Sequence, residues 1–237
     1  MNLLKEFSLN DTCSYLANKE QTTHYKIINN CSAQYTHELI ERGFRRFGRM
    51  YFRPICEDCH ECQSIKIDVA NYQFSKSEKR VLKKAKELEI YIQTPTLSQE
   101  HLELFDKYHF HMHQKKGWKF QQVTADHYYN SFVVGHEDYG KEVLYFHKGK
   151  LIGVDLVDVL QEGISSTYFY YDPDFSNLSL GKLSLLYQIQ FAQQTQKSWI
   201  YLGYYVEECD SLNYKSAYKP YLTLQGRPPL ENKYIWT

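Results

Sequence analysis

A chain of 237 residues with 28 Lys or Arg against 28 Asp or Glu carries no net charge, so no global field draws it to a polyanion and any nucleic-acid affinity must be local. Six cysteines are far too few for a disulfide scaffold of this length. The opening MNLLKEFSLNDTC has no apolar h-region and no run of about 18 apolar residues follows, which predicts a soluble, cytoplasmic protein with no membrane partner.

In chain order, HYKII (24 to 28) alternates like a strand, SAQYTHELIERG (32 to 43) has helical spacing with Gly43 as its stop, and FRRFGRMYFRP is extended up to Pro54. QSIKIDV alternates again. SKSEKRVLKKAKELE (75 to 89) is the clearest helix: Ser75 and Glu78 form a capping-box pattern, Val81, Ala85 and Leu88 share a stripe, and Lys76, Arg80 and Lys83 lie opposite. The strand EIYIQ follows, then helices from about Ser98 to Lys115 and from near Thr124. From 142 a meander is predicted, EVLYFHK, LIGVDLVDVL and ISSTYFYYD, with turns at Lys148-Gly149 and Gln161-Glu162-Gly163. A helix from Leu180 to Lys197, the strand WIYLGYY and a short helix from Asp210 to Tyr218 complete the pattern. Three antiparallel strands, a helix and one more strand is the order of the central part of the GNAT acyltransferase fold, an order many α+β sheets share.

CEDCHEC (56 to 62) sets three thiols at three-residue spacing with His60 between them. Zinc or an iron–sulfur cluster takes about four thiolate or imidazole ligands. Cys13, in DTCSY, is the first candidate for the fourth, with Cys31 and His24 as rivals; thiols holding no metal are the other reading. Around them the chain is basic: Arg42 to Lys86 contains twelve Lys or Arg against five Asp or Glu, enough to hold phosphates locally. Arg45, Arg46 and Arg53 carry planar forks that match a carboxylate two bonds at a time. In the C-terminal half, Ser179-Leu180-Gly181 opens a helix after a strand, where a GNAT enzyme seats a phosphate on backbone amides, although with fewer glycines than an acyl-CoA loop uses.

GFRRFGRMYFRPICEDCHEC, SKSEKR, YFYYDPDFSNLSLG and LGYYVEECDSLNYKSAYKP, in that order, resemble the bacterial aminoacyl-tRNA–protein transferases of the aspartate/glutamate leucyltransferase type, kin of the eukaryotic arginyltransferases. The likeness runs from about Cys13 to Pro220. It implies an α+β protein with a smaller N-terminal, Cys-containing α/β subdomain (1–75) and a GNAT-like acyltransferase domain (76–237). It also implies transfer of leucine from Leu-tRNA to the α-amine of proteins beginning with Asp or Glu, creating an N-end rule degradation signal read by an adaptor and protease. An arginyl-tRNA donor, a GNAT acetyltransferase and a zinc-stabilised RNA-binding module are the rival readings. The family's cysteines are matched by Cys13, Cys56, Cys59 and Cys62, linked in eukaryotic members to zinc or an iron–sulfur cluster; Cys13-Ser14-Tyr15-Leu16 departs from the relatives' C-x-x-C.

An aminoacyl ester is already activated, so the chemistry needs positioning, a neutral amine and an oxyanion site, and no cofactor. The backbone amides of Leu180 and Gly181, a tyrosine such as Tyr168 or Tyr204, and Asp172 are the expected catalytic groups. Arg45, Arg46 and Arg53, with Tyr51 beside them, are expected at the acceptor's acidic side chain. Lys76, Lys79, Arg80, Lys83 and Lys215 are expected on the tRNA.

Overall fold

The computed structural model describes residues 1–136 and 138–237. The chain runs through β1 (Asn2–Thr12), β2 (Glu20–Asn29), α1 (Ala33–Glu41), β3 (Arg45–Phe47), β4 (Met50–Pro54), β5 (Gln63–Asp68), α2 (Lys76–Lys84) and β6 (Glu89–Gln93). It continues through α3 (Gln99–Lys116), α4 (Ala125–Tyr128), β7 (Gly140–His147), β8 (Lys150–Val159), β9 (Gly163–Tyr171), α5 (Leu180–Gln194), β10 (Trp199–Tyr205) and β11 (Tyr221–Thr223).

Local chemistry starts the helices. Ser32 Oγ accepts the Tyr35 amide and opens α1. At α2 the expected capping box is present: Ser75 Oγ accepts the Glu78 amide, and Glu78 reaches back to the Ser75 amide at 2.8 Å. Ser75→Ala is expected to cost about 1 kcal/mol, read as a lower urea midpoint at unchanged slope. The last expected helix is only a 3-10 turn, Asn213–Ala217.

The strands form two sheets, a mixed α+β arrangement. The smaller has the order β1-β2-β4-β3, the larger β11-β5-β10-β9-β8-β7-β6. Every neighbouring pair is antiparallel except β9 and β10, which α5 joins as a crossover. β5 lies before the expected boundary at residue 75 yet is an interior strand of the large sheet, so the division between sheets does not follow that boundary.

Alternation along β8 distributes the core. Val154 and Leu156 pack with Leu104, Phe105, Tyr128 and Tyr170, and Val157 packs with Leu186, Ile189 and Ile200. Two buried ion pairs cross between distant parts of the chain: Arg46 with Asp158, and Lys66 with Glu41, the latter also taking the Tyr201 hydroxyl. Among the described residues no helix is long and apolar enough to cross a membrane.

Candidate active site

β9 and β10 pair only where Gly163–Ser165 face Trp199–Tyr201. Beyond that point Arg45, delivered by β3, stands between them. Its Nη1 donates to Leu202 O on β10, and its Nη2 to Ser166 O and Thr167 O on β9, each at 2.9 Å. Gly203 makes the approach possible: its φ is +74°, and a Cβ there would lie 1.5 Å from Arg45 Nη1. The separated strands border a cavity of about 680 Å³, whose walls include Tyr168, Trp118, Tyr204, Tyr214 and Gly181.

Lys215 also lines this cavity, 5% exposed, and its ammonium donates to Tyr204 O at 2.5 Å. Burial, then the neighbouring Arg45 charge, holds its pKa well below the usual lysine range. It is therefore not on the exposed ridge expected to meet tRNA. Neither Arg45 nor Lys215 has an ion-pair partner among the described residues. Half-buried Arg45 and buried Lys215 thus put two basic groups on one cavity without a carboxylate.

At the start of α5, the amides of Lys182 and Leu183 donate to Ser179 O. The helix's first two amides, Leu180 and Gly181, have no partner among the described residues. Leu180's side chain is core, whereas Gly181 lines the cavity. Tyr168 lines it too, and its hydroxyl meets His109 Nε2 at 2.7 Å. Tyr204 donates its hydroxyl to Gly43 O and Phe52 O, both at 3.1 Å, joining the two sheets at the cavity edge.

Asp172 is not among the residues lining this cavity. It is 1% exposed, ion-paired to Lys107 and Lys150, and accepts the Asp174 amide. Although burial pushes its carboxyl up, the two lysines hold it below the usual range. Such a carboxylate is a poor base.

The three arginines expected together are not brought together. Arg46 is committed to Asp158 and Gly48 O, and Arg53 lies over the Phe44 ring with its Nη1 on Arg42 O and Pro228 O. Tyr51 is fully buried, its hydroxyl bonded to Thr36 and Tyr139. Arg45 alone of the three reaches the cavity. Lys76, Lys79, Arg80 and Lys83 are exposed on α2, whose other face packs Val81 and Leu82 on the core.

Cys13, Cys59 and Cys62 pack with Cys209, Leu16 and Val206, and Arg227 holds the loop by donating to Cys56 O and Cys59 O at 3.0 and 3.1 Å. Burial, then the neighbouring Cys13, pushes the Cys62 thiol up to about 12. A metal cage needs thiolates in a fixed polyhedron. Among the described residues no group of three His, Cys, Asp or Glu side chains could hold a metal ion. Cys13, Cys56, Cys59 and Cys62, expected as a ligand set, are therefore not gathered into such a group among the described residues. The rival ligands lie elsewhere, Cys31 bonded to Thr36 and His24 to Glu6.

Two family models match: "Arginine-tRNA-protein transferase, N terminus" over residues 11–80 and "Arginine-tRNA-protein transferase, C terminus" over residues 100–225. An aspartate/glutamate leucyltransferase of Campylobacter jejuni subsp. jejuni is 49% identical, covering 97% of this chain and 96% of the relative. The chain belongs to the aspartate/glutamate leucyltransferase family. The leucyltransferase of Helicobacter hepaticus is 40% identical over 100% of this chain and 98% of its own, and that of Vibrio cholerae 32% over 91% of each. The solved structure of FemX aligns with 77% of this chain and 63% of its own at 7% identity and a TM-score of 0.46, too loose to argue from.

In this leucyltransferase, residue-by-residue reading missed two residues behind the cavity wall, Gly203 against Arg45 and His109 against Tyr168. Gly203 stood inside a strand pattern, LGYY, and glycine at such a place marks close approach of another group. His109, one of three histidines in HFHMH, carried no signal separating it from its neighbours.

Proposed function

We propose that the chain transfers leucine from the ribose ester of Leu-tRNA to the α-amine of proteins beginning with Asp or Glu, in the cytoplasm where charged tRNA is available. The product is an N-end rule degradation signal for a downstream adaptor and protease. The large sheet, with β9 and β10 parting at the start of α5, is read as a GNAT-like acyltransferase framework, with the small sheet and Cys loop as its N-terminal subdomain. The observation that carries the reading is the pair Arg45, half-buried, and Lys215, buried, two basic groups at one cavity with no carboxylate of their own. An opposite charge brought into the cavity favours the charged form of Lys215 and offsets the Arg45 charge beside it, and the acidic side chain of the acceptor supplies it.

Around that anchor each group has one task. The Leu180 and Gly181 amides, at the positive end of α5, face the developing oxyanion. The exposed ridge of Lys76, Lys79, Arg80 and Lys83 takes tRNA phosphates, which makes affinity fall with salt. The ester is activated already and a free α-amine has a pKa of about 7.7 to 8, so positioning supplies most of the acceleration. The Cys loop organises backbone near the cavity and takes no part in bond making.

The test is transfer in the presence of total tRNA, leucine or arginine with its synthetase, and peptides beginning Asp, Glu or Ala, read by mass spectrometry. Leucine on the Asp and Glu peptides alone is the expected result; arginine addition would correct the donor, and no addition would end the reading. Lys215→Met, which keeps the stem and removes the charge, is expected to raise KM for the Asp peptide about tenfold, with KM for charged tRNA unchanged.

A further inference from the structure

His109, on α3, belongs to no role assigned above, yet its hydrogen bonds define a direction of proton flow. Its Nδ1 lies 2.8 Å from the Phe105 carbonyl oxygen. A carbonyl only accepts, so Nδ1 carries the proton. In the neutral ring Nε2 then holds a bare lone pair, and the Tyr168 hydroxyl 2.7 Å away must donate to it. Burial disfavours the charged ring and keeps the imidazole's pKa below its ordinary range.

The ring is held in this orientation from several sides. It stacks on Phe105 with centroids 3.9 Å apart, lies within 7° of the Tyr168 ring plane, and has Trp118 at 6.2 Å. Tyr168 in turn lines both the cavity between β9 and β10 and a second, largely apolar cavity of about 590 Å³ that includes Phe47, Phe105 and Phe132. With its own proton committed to His109, the Tyr168 oxygen offers other groups only lone pairs.

We infer that Tyr168 and His109 form a proton relay for the acceptor amine, Tyr168 touching the amine as a catalytic residue and His109 acting through it. This rests on the transfer reaction proposed above. The neutral amine attacks the ester carbonyl, a C–N bond forms, and the carbonyl electron pair moves to oxygen at the Leu180 and Gly181 amides. The tetrahedral adduct's nitrogen loses a proton to the Tyr168 oxygen as the Tyr168 proton passes to His109 Nε2. Collapse restores the carbonyl and breaks the C–O bond to ribose, and the ribose oxygen takes the proton back along the same path. Amine and ester have become amide and ribose hydroxyl, with Tyr168 and His109 as they began.

The test compares the full chain with Tyr168→Phe and His109→Gln, using charged tRNA and an Asp peptide. Gln accepts the Tyr168 hydrogen bond but takes no proton, so it preserves a packing role and removes the relay. Both variants are expected to lose at least about tenfold in kcat with KM for peptide and tRNA within about twofold of wild type. A His109→Gln enzyme with wild-type kcat would overturn the relay and leave a structural hydrogen bond. Should that variant fail to fold, Tyr168→Phe, which keeps the ring and its stacking, decides alone: an unchanged kcat overturns the inference. A wild-type chain that modifies no peptide would instead strike down the transfer reading beneath it.

Discussion

Gly203→Ala is expected to reduce kcat/KM for leucine transfer to an Asp peptide by about a hundredfold or more, the scale of a displacement of about an ångström at a reacting centre. The added methyl would stand 1.5 Å from Arg45 Nη1 and 2.5 Å from its Cδ and Cζ, and the backbone there has a φ of +74°. A left-handed conformation costs an L-residue roughly 1–2 kcal/mol, so the chain has reason both to shift the strand and to expel the guanidinium. Either movement leaves the carbonyls of Leu202, Ser166 and Thr167 without their shared donor and removes the guanidinium facing the acceptor. Single-turnover transfer, with circular dichroism to verify that the variant is folded, measures the effect. A rate within twofold of wild type would show that the seating of Arg45 is irrelevant to the acceptor.

Asp155→Asn is expected to stabilise the protein at alkaline pH, by up to roughly 4 kcal/mol at pH 8. Asp155 is fully buried, its Oδ2 accepts Gln188 Nε2 at 2.8 Å, and its Oδ1 has no partner among the described residues. Burial pushes the carboxyl up to about 7 against the opposing hydrogen bond from Gln188. Because the folded value lies above the unfolded one, this group favours folding below pH of about 4, and that contribution is lost as pH rises through about 7. Asn keeps an acceptor for Gln188 and never ionises, so the variant's advantage should vanish near pH 4 and be complete by pH 8. Urea unfolding at pH 5, 6 and 8 measures it. A variant less stable than wild type at pH 8 would mean that the ionised carboxylate has a compensating partner.

Much of the framework was legible because its causes are local. The capping box at Ser75 and Glu78 is a contact between residues three apart, and the Lys148-Gly149 turn has both residues at positive φ, 51° and 77°, as a two-residue hairpin of type I′ requires. β1 was missed for an equally physical reason. It pairs only with β2 and ten of its eleven residues are exposed, so neither face imposes the apolar alternation that betrays a strand. At the end of the chain, β11 is three residues long and none of them is fully buried.

The cationic ridge of α2 was likewise visible, since charge on one helical stripe and apolar residues on the other follow from a 3.6-residue period. The division of labour among the other basic residues was not. Arg42, Arg45, Arg46, Arg53 and Lys66 read as one charged cluster, yet Arg46 and Lys66 answer buried carboxylates while Arg42 and Arg53 hold the carbonyls of Pro229 and Pro228 near the C-terminus.

Helix starts, the meander and the ridge of positive charge follow from neighbours along the chain, and several ordered blocks carry the family. The site instead depends on packing between distant segments. Arg45 meets Leu202 and Ser166 across 157 and 121 positions, and His109 meets Tyr168 across 59. Such contacts exist only after the sheets have packed, and no short-range periodicity encodes which distant carbonyl or hydroxyl a side chain will face.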